Sequence, residues 1–115
     1  MFEGAEAVYN ATFEKFNQNP ELKKKLLDTG NMIIVQCYDK DNILGCGCSK
    51  KELNEWFEQN HGKVIKVPIG SQIHSEKARR IGKGRNLLGY ICMSIREQFR
   101  QDEADLNAFK ALSLL

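Results

Sequence analysis

At 115 residues the chain is long enough for one domain with one hydrophobic core and too short for two. A hydrophobic fraction of 42% beside 28% charged residues is ordinary for a globular protein and excludes a disordered chain. A net charge of +2 excludes binding to nucleic acid or membrane through a globally polybasic surface.

Taken in chain order, Met1 to Glu6 are acidic with no apolar run behind them, unlike a signal peptide. No stretch approaches the ~18 apolar residues of a membrane span. A cytoplasmic location without membrane contact is therefore expected, with Cys37, Cys46, Cys48 and Cys92 as reduced thiols. Residues 4–18 read as a helix, because Val8, Thr12, Phe13 and Phe16 recur at helical spacing. A second helix opens at Asn19-Pro20-Glu21. Asn19 caps the free amides, Pro20 sits where its missing N–H costs nothing, and Glu21 faces the positive end of the dipole. Leu22, Leu26 and Leu27 form its apolar stripe, and Gly30 supplies the left-handed residue that ends it.

Residues 32–38 are apolar and rich in β-branched side chains, which predicts a strand. Asp39 to Asp41 turn the chain into the glycine-rich Leu44-Gly45-Cys46-Gly47-Cys48. Residues 50–60 read as helix, with Leu53, Trp56 and Phe57 on one face. Residues 63–69, around Pro68, suggest an edge strand. Gly70 to Arg85 reads as loop with one helical turn near Glu76–Arg80. A helix follows from Asn86 to about Gln101, with Leu87, Leu88, Ile91, Ile95 and Phe99 as its core face. A separate amphipathic piece, 106–115, carries Leu106, Phe109 and Leu112. Exposed apolar helix faces of this kind offer a route to homo-oligomers.

Several of these segments carry residues suited to chemistry. Lys77, Arg79, Arg80, Lys83 and Arg85 fall within nine residues with no acid among them, as either an anion site or a solvated loop. Gly82-Lys83-Gly84-Arg85-Asn86 leads directly into a helix, where free amides beside Lys83 and Arg85 suit a phosphate. Asn86 there reads equally as an N-cap. The Gly-Lys-Ser/Thr ending of a P-loop is absent, and so is the strand that precedes a Rossmann fingerprint. Cys46-x-Cys48 lacks zinc-knuckle spacing and His61 and His74 stand alone, so no metal is expected. Cys37 and Cys92, within apolar runs, read as core thiols.

Three blocks carry a family resemblance. Lys15-Phe16-Asn17-Gln18-Asn19-Pro20-Glu21-Leu22 with Leu26-Leu27-Asp28-Thr29-Gly30 resembles the "KFxQNPxLxxxLLxTG" segment of the NADAR domain. Asp41-Asn42-Ile43-Leu44-Gly45-Cys46-Gly47 is similar to its "DxxWGxG" turn. Gly82-Lys83-Gly84-Arg85-Asn86-Leu87-Leu88-Gly89, with Met93 and Arg96 beyond, resembles its "GKGxNxLGxxLMxxR" helix start. The family's upstream "AEH" helix, which supplies a catalytic glutamate, has no counterpart here, so the chain is expected to correspond to the C-terminal part of the domain. The family tryptophan of the turn is Leu44, which makes apolar contact but offers no extended ring face. Residues 49–80 match no family block and read as an insertion.

The resemblance implies a single α+β domain over 1–115, helix-rich with a small sheet. It also implies a hydrolase of N-glycosidic bonds in riboflavin-pathway intermediates or in ADP-ribose attached to guanine, with no cofactor. Cleaving such a bond builds positive charge at the ribose anomeric carbon, which a carboxylate stabilises or relieves by activating water. Asp41 is the candidate for that role, with capping of its own turn as the alternative. Leu44, Gly45, Gly47, Lys83, Arg85 and Asn86 are the candidate contacts to a phosphorylated riboside or ADP-ribose. Arg96 either reaches the same pocket or pairs with a surface acid. The alternative function is a non-catalytic relative that binds ADP-ribose, a nucleotide or a partner protein.

Overall fold

The computed structural model describes residues 4–113. Within them lie α1 (Ala5–Asn17), α2 (Pro20–Asp28), α3 (Lys50–Gln59) and α4 (Leu87–Ser113), with a 3-10 turn at Gly70–His74 before α4. Local chemistry sets both ends of α2 and the start of α3. The Asn19 side chain accepts from the Leu22 amide at 3.3 Å, Pro20 follows, and Gly30 sits at φ +62° beyond the end of α2. Ser49 and Glu52 close a capping box on α3, each side chain accepting from the other's amide at 3.2 and 3.1 Å.

The core gathers on the first half of α4. Leu87, Tyr90, Ile91, Ile95 and Phe99 are buried there, and each such side chain contributes about 1.5–3 kcal/mol on burial. α1 packs on this face through Phe13, whose ring lies 5.2 Å from that of Phe99. α2 packs through Leu26 and lays the Lys23 ammonium 4.4 Å over the Phe99 ring. Ile73 of the 3-10 turn and Leu53 of α3 join the same cluster, so residues 49–80 contribute to the one core.

The α+β class with a small sheet does not hold. Among the described residues the helices leave no sheet, only an isolated bridge between Ile81 and Gly84. Residues 32–38 form no strand, and their backbone partners are side chains and a loop. The Asn86 side chain accepts from the Gln36 amide at 2.9 Å and donates to the Ile34 carbonyl at 3.0 Å. The Gln36 carbonyl takes the Cys46 amide at 2.9 Å. One amide side chain thus replaces a neighbouring strand, and β propensity without a second strand makes no ladder. Cys37 is consequently exposed rather than a core thiol, and Cys92 is half-buried. Residues 63–69 form no strand either, and Val64 is 91% exposed.

Two other expectations change. The helical turn falls at Gly70–His74 instead of Glu76–Arg80. The helix from Leu87 does not stop at Gln101 but runs through the expected separate piece to Ser113 as one 27-residue rod. Gln98 to Asp102 and Gln101 to Asp105, each 2.9 Å at i,i+4 spacing, carry it past Gln101 into that piece. The placement of the Leu112 side chain and of residues 114–115 lies outside what is described.

Candidate functional site

The glycine turn after Asp41 and the start of α4 meet directly. The Arg85 amide donates to the Asn42 carbonyl (2.8 Å), Asn86 to Gly45, Leu87 to Ile43 and Leu88 to Leu44 (each 3.0 Å). Lys83 closes the joint by donating to Cys46 at 2.9 Å. Glycine makes this approach possible. A side chain at Gly84 would sit 2.5 Å from the Gly45 carbonyl, and Gly47 holds φ +64° with no room beside Asn42. The amides expected to be free for phosphate at the helix start are therefore taken by carbonyls of the turn, as helix termini require when no ligand is there.

Each candidate side chain has a defined position at this joint. Asp41 Oδ1 accepts from the Ile43 amide at 2.8 Å and the Leu44 amide at 2.9 Å, an Asx turn that fixes the carboxylate. Its Oδ2 makes no hydrogen bond among the described residues. Leu44 is half-buried against the core. Asn86 is fully buried at φ +51°, and its side chain serves the 34–36 run rather than capping α4. Lys83 Nζ lies 2.5 Å from Glu52 Oε2, and Arg85 donates to the His74 carbonyl at 3.1 Å. Arg79 donates to Asn60 at 2.9 Å and covers the Trp56 ring. The basic run is thus divided among separate partners rather than focused on one point.

Sequence reading missed Glu52. The Lys83 hydrogen bond, followed by those of Ser49, pulls its carboxyl down to about 2. Lys83 in turn is held above the usual lysine range by Glu52. Ser49-Lys50-Lys51-Glu52 is a capping-box pattern, and that signal was available. Its pairing with Lys83, 31 residues away, was not. With Trp56, Glu52 and Lys83 line a hollow of about 280 Å³ beside the joint. Arg96 goes to neither of its expected destinations. Its NH1 donates to Thr29 Oγ1 at 2.8 Å and to the Met32 carbonyl at 2.9 Å, tying α4 to the end of α2. The three blocks of the resemblance are in this way joined to one another, the first to the third through Thr29 and Arg96, the second to the third through the joint.

Cys46 and Cys48 are buried with their sulfurs 3.6 Å apart. Among the described residues no group of three or more His, Cys, Asp or Glu is arranged to hold a metal ion, and no helix is long and apolar enough to cross a membrane.

These joined blocks define a member of a known domain class. The chain belongs to the NADAR family, whose NADAR domain model matches residues 3–100. It is also 33% identical over 87 residues to an N-glycosidase of Acanthamoeba polyphaga mimivirus, a match covering 76% of this chain. The chain spans 39% of that relative's length. No solved structure matches it.

Proposed function

We propose that this chain serves the hydrolysis of N-glycosidic bonds in phosphorylated, nucleotide-like ribosides, either riboflavin-pathway intermediates or ADP-ribose on guanine. The observation that carries the reading is the Asp41 carboxylate, with one oxygen anchored by two amides and the other left over. A carboxylate so oriented needs no reorganisation to face a developing cation. As the bond between the anomeric carbon and the base nitrogen breaks, the carbon becomes cationic. Asp41 stabilises it or takes a proton from the attacking water, and the base leaves with the bonding electrons. Because the helix-start amides are occupied, phosphate falls to the side chains of Lys83 and Arg85. Lys83 leaves Glu52 at little cost, since solvent screens an exposed ion pair.

The test uses ADP-ribosylated guanine nucleotide and a ribosylaminopyrimidine phosphate, with released base as the readout. Asp41→Asn keeps an oxygen that accepts both turn amides and removes only the charge. It is expected to retain stability and to lose base release by about 100-fold or more. Asp41→Ala loses the turn as well, at about 1 kcal/mol. Base release by Asp41→Asn at the parent's rate ends the assignment. A second reading, binding without cleavage, is favoured by Leu44, whose half-buried side chain offers no ring to a base. Thermal stabilisation by ADP-ribose with no base released from either substrate selects it.

A further inference from the structure

A second feature of the fold lies outside the joint. A cleft of about 990 Å³ runs along α4, walled on one side by Tyr9 and Asn10 of α1 and on the other by residues 67–74. Small-molecule sites occupy about 300–1,000 Å³. Arg96 lines this cleft and is only 6% exposed. Both of its partners, Thr29 and the Met32 carbonyl, are neutral. Its Nε is buried with no partner. Among the described residues no carboxylate pairs with it: of the two that line the cleft, Glu97 is bonded to Arg100 at 3.4 Å and Glu6 makes no bond to it. A guanidinium presents five donors and carries a full charge, and buried charges are ordinarily paired.

A second residue of the same cleft carries an orphan atom. His74 Nδ1 is buried without a partner, while the His74 carbonyl is held in place by Arg85. Buried polar atoms of proteins are almost always bonded, so two residues of one cleft that each hold an unpaired one point to a missing group there. From these observations we infer that the α4 cleft is a binding site for a small oxyanion, a phosphate or carboxylate, seated on the Arg96 guanidinium with His74 as a further contact. An oxyanion supplies the paired negative charge that the guanidinium lacks within the protein. Arg96 lies eight residues beyond Leu88, roughly 12 Å along the helix from the Asp41 joint. The cleft is a separate site and does not depend on the glycosidase reading.

The experiment titrates the isotope-labelled full chain with inorganic phosphate, and in parallel with citrate, while the arginine Nε–Hε and backbone amide resonances are followed. Saturable movement of the Arg96 Nε–Hε signal together with amides of 70–74 and 94–97 is the expected result. Phosphate acting alone assigns a phosphorylated ligand, and citrate acting as well assigns the carboxylate class. Ser94→Trp fills the cleft without touching the Thr29 and Met32 bonds and should weaken the titration at least about tenfold. Arg96→Lys, which lacks Nε, should do the same. An Arg96 signal that stays still under both anions overturns the proposal. So do shifts confined to Lys83 and Arg85, or Ser94→Trp binding phosphate as the parent does.

Discussion

The two halves of α4 carry the same apolar rhythm and meet opposite fates. From Leu87 to Phe99 the stripe is buried against α1, α2 and the 3-10 turn. From Gln101 to Lys110 every side chain is exposed, with Leu106 at 53% and Phe109 at 70%. The first half is also where long-range polar bonds collect, at the joint, at Asn86 and at Arg96. Toward the second half the bonds from Gln98 to Asp102 and from Gln101 to Asp105 are local. Helical periodicity therefore reports that a face is apolar. It does not report that anything covers the face.

The sharpest way to break the contrast is at the start of the buried half. Asn86→Ala removes both partners of the 34–36 run and leaves two part-buried backbone groups unpaired. At about 1–3 kcal/mol each, the expected loss is about 2–6 kcal/mol, read as a lower urea midpoint. A loss under 1 kcal/mol would mean that Asn86 does not hold that run.

The rim of the joint should respond more gently and through pH. Glu52 has its carboxyl depressed in the folded state, so its contribution is present above its ordinary value near 4.5. It is lost as pH falls from there toward about 2. Subtracting the Glu52→Gln urea midpoints from the parent's across that window should isolate a slope of this sign. Parallel profiles would remove the Lys83 pairing from the account. The smallest effect belongs to the exposed half. Leu106→Ala and Phe109→Ala are each expected to change unfolding free energy by no more than about 0.5 kcal/mol. A larger loss would show that the projecting rod is covered in solution.

How far the sequence could be read follows the range of the interactions involved. α1 and α2 were legible because spacing, Asn19, Pro20 and Gly30 act within a turn of themselves. The pairing of the Asp41 turn with the α4 start was legible through the family resemblance. What the amides there do was not, because whether a helix terminus meets a ligand or a carbonyl depends on what packs against it. The bonds that Asn86 and Arg96 make were not legible for the same reason, since their partners lie 50 to 67 residues away. The missing sheet is the clearest case. Residues 32–38 have strand composition, but a strand needs a partner from elsewhere in the chain, and here a single side-chain amide and a glycine turn supply its place. Local capping and apolar spacing were thus written in the sequence, while satisfaction of buried polar groups was decided only when distant segments closed on one another.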